Sequence, residues 1–312
     1  MIDTLFKTPQ KLTSVNVDLF IKMAEPIFKY QDKMLPNVRF DTSTTKKLDS
    51  IGALLIYKFF EYTVHKNCFT KPKTIIKGYV KEELEKRLIK SLVDTFINYE
   101  KPQYSKLRFT STENLFISPI LLKKNSQKDE IADAGKDICK YYNDDEESRF
   151  LILTCMGEIA LNFKAHAEID TESILSVAGT KMDYEIACVD TGVGIVSSLS
   201  ASFQERGIKI PKSKVLEKSL ERGISSKDSS TGHMGYGLWL LKELVLAAKG
   251  EMRIYSEGYC AICHRGKIKF RQCNYWKGTI AFIKLPLSKS FVLKNKLKEL
   301  RPSTNRVRIR KI

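Results

Sequence analysis

Apolar residues recur at helical spacing through much of this chain, and between those stretches lie short runs with strand character. Phe20, Met23, Ile27, Tyr30 and Met34 predict a helix over 18–34, with Pro26 as a possible kink. NVRFD (37–41) reads as a strand, and Leu48, Ile51, Leu55 and Phe59 predict a second helix. A strand around TIIKG (74–78) and a charged helix over 81–99 continue the alternation, which implies a small α/β domain over 1–110. LFISPILL (115–122) reads as a strand and DEIADAGKDICKYY as a helix. Asn143, followed by Asp144, Asp145, Glu146 and Glu147, marks another helix start, with acids in its first turn.

That next helix is the informative one. At about 100° per residue, Ile152, Met156, Ile159 and Phe163 fall in one apolar stripe. Glu158, Asn162 and His166 form a polar row at the edge of the stripe rather than opposite it, so they should line the rim of a cleft. Glu158 and Asn162 are i and i+4 and their side chains meet. A carboxylate beside a neutral amide suits a general base next to a ligand for a hard cation, though a solvated helix edge would look the same.

Three further stretches follow. The strand YEIACVD stops at Asp190-Thr191-Gly192-Val193-Gly194, where two glycines let the backbone approach a flat ligand and Asp190 can accept a hydrogen bond. GVGIVS lacks the third glycine of a dinucleotide fingerprint and is not followed at once by a clean helical period. Beyond the helix KSKVLEKSLERG, a loop rich in Ser and Gly passes through Gly232, Gly235, Tyr236 and Gly237 into the apolar helix LWLLKELVLAAKG. A loop of that composition feeding a helix N-terminus suits an anion and is long enough to act as a lid. Last comes the strand WKGTIAFIKLP.

Taken in order, Glu158-x3-Asn162 on a helix, Asp190-x-Gly192-x-Gly194 after a strand, Gly232-x2-Gly235-x-Gly237 before a helix, and a closing strand from Gly278-Thr279 to Leu285-Pro286 resemble the GHKL ATPases. That superfamily includes gyrase B subunits, heat-shock chaperones, histidine kinases, mismatch-repair ATPases and anti-sigma-factor serine kinases. The resemblance implies an α+β two-layer sandwich of the histidine kinase-like ATPase type over 111–288, with ATP and magnesium as ligands. It implies that Asn162 holds magnesium, Glu158 is the base, and Asp190 accepts the adenine amine. Gly192 and Gly194 would shape the adenine floor, and Gly232, Gly235, Tyr236, Gly237 and Leu238 would belong to the phosphate lid and the helix it opens. His166 and Thr279 stand where relatives carry nucleotide-contacting residues.

A second resemblance covers roughly 14–100. A helix, a short strand and then Leu48-Asp49-Ser50-x-Gly52 opening a helix are similar to the STAS modules found beside anti-sigma-factor kinases. Switchable members carry a phosphorylated Ser or Thr just before that glycine, whereas this chain has Ile51.

Composition narrows the setting. No run of about 18 apolar residues is present and MIDTLFKTPQ lacks a secretory leader pattern, so a cytoplasmic protein without membrane contact is expected. Seven cysteines, several in apolar runs, read as reduced thiols. Cys260, Cys263, His264 and Cys273 form poor zinc and haem signals, and alternation along a strand would turn Cys260 and Cys263 to opposite faces. Net charge is +17, and from Lys289 onward nine Lys/Arg against Glu299 leave +8 on a basic tail over 289–312. A sensor histidine kinase is disfavoured because His65 lacks a phosphoacceptor context. What stays open is an ATPase or protein kinase acting with a protein partner, a non-enzymatic docking module gated by nucleotide, and a protein that reaches nucleic acid through its tail.

Overall fold

The computed structural model describes residues 3–29, 37–65, 76–90, 92–94, 114–122, 129–166, 172–226 and 235–300. Its centre is an eight-stranded antiparallel sheet. The strands are β5 (Leu115–Phe116), β6 (Ile120–Leu122), β7 (Ser173–Gly179), β8 (Asp183–Val189), β9 (Glu251–Ser256), β10 (Tyr259–His264), β11 (Lys267–Gln272) and β12 (Thr279–Pro286). Their order is β11-β10-β9-β12-β8-β7, with β5 and β6 both pairing with the outer side of β7. LFISPILL is therefore two short strands of this sheet, separated around Pro119, which has no amide hydrogen for the ladder.

One face carries α4 (Asp129–Tyr141), α5 (Glu146–His166), α8 (Gly237–Ala248) and α9 (Ser290–Leu300), with two further helices between residues 195 and 219. The predicted stripe Ile152, Met156, Ile159 and Phe163 is buried there against Ile186, Cys188, Ile254 and Ala281. Helix α5 begins at Glu146, not at Asn143: Asp145 accepts the Ser148 N–H at 2.9 Å, the bond that satisfies an open first-turn amide. Helix α9 occupies the first part of what composition marks as a tail. Leu293 and Leu297 bury it in the core, and Lys294 pairs with Glu147 at 3.1 Å, while Phe291 and Val292 stay exposed.

The other face is covered as well. Strands β1 (Asp3–Lys7) and β3 (Asn37–Asp41) pair in parallel, as do β2 (Lys11–Leu12) and β4 (Lys47–Leu48). Together with α1 (Val17–Lys29) and α2 (Ser50–His65) they form a third layer. Phe20, Phe28, Phe40, Leu55 and Phe59 share one core with Ile174, Ala187, Val189 and Ile280 from the sheet and with Trp276 from the connection before β12. Strands β7, β8 and β12 thus read as nearly continuous apolar runs because both of their faces are buried. The expected two layers of the C-terminal region are completed by a third, built from the N-terminal residues.

Polar anchors set the register of that third layer. Ser50 at the start of α2 donates from Oγ to Glu185 Oε1 of β8 at 2.5 Å and accepts from Arg87 at 2.8 Å. Asp49 accepts the N–H groups of Ser14 and Gly52. Lys58, fully buried, pairs with Glu61 and donates to the carbonyl of Glu172 just before β7. Gly52 has no room for a side chain, since a Cβ would stand 2.1 Å from the Leu12 carbonyl oxygen.

Two local expectations are corrected. Of the strand predicted around TIIKG, 74 and 75 lie outside the described residues, Ile76 and Lys77 are not strand, and helix α3 (Gly78–Lys86) begins at its last residue. The charged helix then breaks at Leu88, whose φ of 57° is left-handed; Leu84 and Ile89 turn into the core on either side. No helix among the described residues is long and apolar enough to cross a membrane.

Candidate functional site

Two clusters of predicted site residues form on the helical side of the sheet. In the first, Glu158 and Asn162 lie one turn apart on α5, half-buried, and the first residue of α8 comes down on them. A Cβ built on Gly237 would stand 2.8 Å from Glu158 Oε2 and 2.9 Å from Asn162 Nδ2. A side chain there would displace the ends of Glu158 and Asn162. The Asn162 Nδ2 is buried and has no hydrogen-bond partner among the described residues. An unpartnered buried amide costs about 1–3 kcal/mol, and such a group is kept where something else completes it. One turn earlier, Cys155 is fully buried and its thiol is pushed up to about 12, first by burial and then by the Glu158 carboxylate; this holds it as an inert thiol.

Leu238, next on α8, lines a small apolar pocket with Ile159, Phe163, Met252 and Ile254, and Asn162 is its one polar wall. Neither Glu158 nor Asp190 belongs to that pocket.

The second cluster stands at the end of β8. Ile186 and Cys188 point to the helical core while Ala187 and Val189 point to the N-terminal layer, so Asp190 continues the row that faces the helices. It is 5% exposed, and its Oδ1 accepts the N–H groups of Gly192 at 2.8 Å and Thr279 at 3.0 Å. Its own carbonyl accepts the indole N–H of Trp276 at 2.9 Å. At Gly278, with φ +90°, a Cβ would lie 2.3 Å from Asp190 Oδ1. Asp190, Gly192 and Thr279 are therefore brought together, and Trp276 and Gly278 hold them. Those last two roles were missed from sequence, although WKGT was singled out as a stretch.

Gly194 lies against a side chain the sequence did not point to. Its φ of +83° places it against Glu257, whose Oε2 would be 2.6 Å from a Cβ there. Helix α6 (Ile195–Glu205) starts immediately afterwards, contrary to the expectation that no helix follows GVG. Its opening amides are met by other side chains: Ile195 N–H donates to Ser256 Oγ at 2.9 Å and Ser197 N–H to Glu257 Oε2 at 2.7 Å. That helix start is capped by its own protein.

Of the Ser/Gly-rich loop, residues 227–234 lie outside the described residues, Gly232 among them, and so does the side chain of His166. The two ends of the loop are described. Helix α7 (Lys212–Ser219) leads to Gly223, whose N–H donates to the Gly235 carbonyl at 3.1 Å. Both glycines have positive φ, and a Cβ on Gly235 would meet the Ile224 carbonyl at 2.6 Å. Arg222 lies over the rings of Tyr236 and Trp239, at 5.4 and 5.2 Å, which ties the end of one helix to the start of the next.

Compared with known proteins, the chain matches no family model and no curated protein.

Proposed function

We propose that this chain is a magnesium-dependent ATP-binding protein of the histidine kinase-like ATPase type. It would hydrolyse ATP or phosphorylate a protein partner as part of a regulatory switch. The observation that carries this reading is the meeting of Gly237 with Glu158 and Asn162. A helix start lies against a carboxylate and an amide from a distant stretch, and the amide includes a buried, unpartnered atom.

In this reading Asn162 is the magnesium ligand, since an amide oxygen is a hard donor and magnesium keeps several waters besides. The ion would neutralise charge on the phosphates. Glu158 takes the proton from a water or an acceptor hydroxyl as its oxygen attacks the terminal phosphorus; the bond to ADP breaks and ADP leaves. Asp190 accepts the exocyclic amine of adenine on a carboxylate whose backbone bonds fix its orientation. Gly235, Tyr236, Gly237 and Leu238 bring the start of α8 to the phosphates, where the helix dipole favours negative charge.

A titration of the protein with magnesium and ATP by calorimetry tests this directly. Saturable, magnesium-dependent binding that weakens in Asn162→Ala is expected. No heat of binding at millimolar nucleotide would sink the proposal.

A second reading is favoured by one contact. Trp276 is shared between the N-terminal core and the carbonyl of Asp190, so a ligand at Asp190 acts on the third layer. A docking module gated by nucleotide would use that link without turnover, and steady-state phosphate release separates it from the enzyme.

A further inference from the structure

Cys260 of β10 is paired across the ladder with Arg271 of β11. Cys273 follows two residues after Arg271, and its N–H donates to the Gly258 carbonyl at 2.9 Å, so the pairing extends past the end of β11. Counting by two on each strand puts Cys260 and Cys273 on one face as diagonal neighbours. That face looks to the N-terminal layer, where Cys260 is fully buried and Cys273 packs at the border, partly exposed. Interaction with the Cys273 thiol, aided by the Arg271 guanidinium against burial and the Asp18 carboxylate, holds the Cys260 thiol below its usual value, while Cys260 and burial push the Cys273 thiol up. Cys263, three residues along β10 and on the opposite face, is buried in the other core and its thiol is pushed up by burial to about 11.

We propose that Cys260 and Cys273 are a reversible dithiol–disulfide modification site, oxidised by small-molecule disulfides such as oxidised glutathione. Cys273 is the sulfur that solvent reaches. Cys273 gives its proton to the Cys260 thiolate as it attacks one sulfur of the small disulfide; the old S–S bond breaks and one small thiolate leaves, giving a mixed disulfide on Cys273. Cys260 then attacks the Cys273 sulfur, forms the Cys260–Cys273 bond and expels the second small thiolate. Two protein thiols are oxidised, one small disulfide is reduced to two thiols, and the two protons end on them. The buried sulfur resolves the intermediate because it lies diagonal to Cys273 on the same face of the hairpin.

The test uses the full chain, reduced, then incubated with oxidised glutathione, alkylated, digested and read by mass spectrometry. A Cys260–Cys273 crosslinked peptide, lighter by two hydrogens and restored by dithiothreitol, is expected. In Cys260→Ser, glutathione should remain on Cys273, where wild type accumulates none. Cys273→Ser changes only the partly exposed position and should leave Cys260 reduced. Recovery of both cysteines alkylated, persistent glutathione on Cys273 in wild type, or oxidation of Cys260 in Cys273→Ser would each overturn the proposal.

Discussion

Gly237 approaches Glu158 so closely that a Cβ at 237 would stand 2.8 Å from the carboxylate oxygen Oε2. The atoms in the way are the far ends of the Glu158 and Asn162 side chains, not backbone, and Gly237 has no positive φ. Gly237→Ala should therefore leave stability within about 1 kcal/mol of wild type, since the two side chains can move aside. Moving them removes them from their site. Affinity for magnesium and ATP should fall about tenfold or more, equivalent to at least about 1.4 kcal/mol; calorimetry beside a thermal melt reads both numbers, and equal binding by the variant would dissociate α8 from the site.

Glu158→Gln keeps shape and removes the proposed base. ATP binding should stay within about threefold while turnover, measured as phosphate release or transfer, drops about 100-fold or more. Equal turnover by wild type and variant would place the base elsewhere, with His166 the first residue to test.

Trp276 is fully buried, packs edge-on against Phe28 at 4.8 Å between ring centres, and donates to the Asp190 carbonyl. Trp276→Phe keeps an aromatic ring and deletes the donor. A loss of about 1–3 kcal/mol is expected from the weakened buried polar contact, read by urea denaturation. ATP affinity should fall with it, because the loop that holds Asp190 loses its fixed point; unchanged denaturation would show that the indole bond is dispensable.

Asp49 supplies a pH signature. Burial, and then the nearby Glu185 carboxylate, raise its carboxyl from 3.8 to about 6, against the pull of the Gly52 and Ser14 amides and of Arg87. The folded state then binds this proton more tightly than the unfolded chain does. Its contribution is complete below about pH 4 and is lost as pH rises through about 6, a change of at most about 3 kcal/mol. Denaturation of wild type and Asp49→Asn between pH 4 and 7 should show a fall in wild type that is flattened in the variant; parallel profiles would assign the titration to another group.

Much of the helical side was legible in the chain, because helix formation and the burial of one stripe are local. Ile152, Met156, Ile159 and Phe163 reach the core as their spacing requires, and Glu158 and Asn162 share the adjoining row for the same reason. The opposite faces of Cys260 and Cys263 likewise follow from strand alternation alone. Where neighbours in sequence were not neighbours in space, the reading failed. Glu257 is one such case: it packs against Gly194 and accepts the Ser197 N–H, and nothing but its place in a turn marks it in the sequence. The TIIKG stretch has strand composition, yet Gly78 opens a helix whose Val80 and Leu84 join the N-terminal core.

What the sequence by itself determined is the set of amphipathic elements and the order and spacing of the four motifs, since both are properties of one chain. Only the tertiary structure decided that Gly237 would be set against Glu158 and Asn162, that Trp276 would hold Asp190, and that the N-terminal residues would cover the second face of the sheet. Those outcomes depend on strand order and on which apolar surfaces exclude water together. They join residues separated by most of the chain, and no local periodicity encodes such a choice.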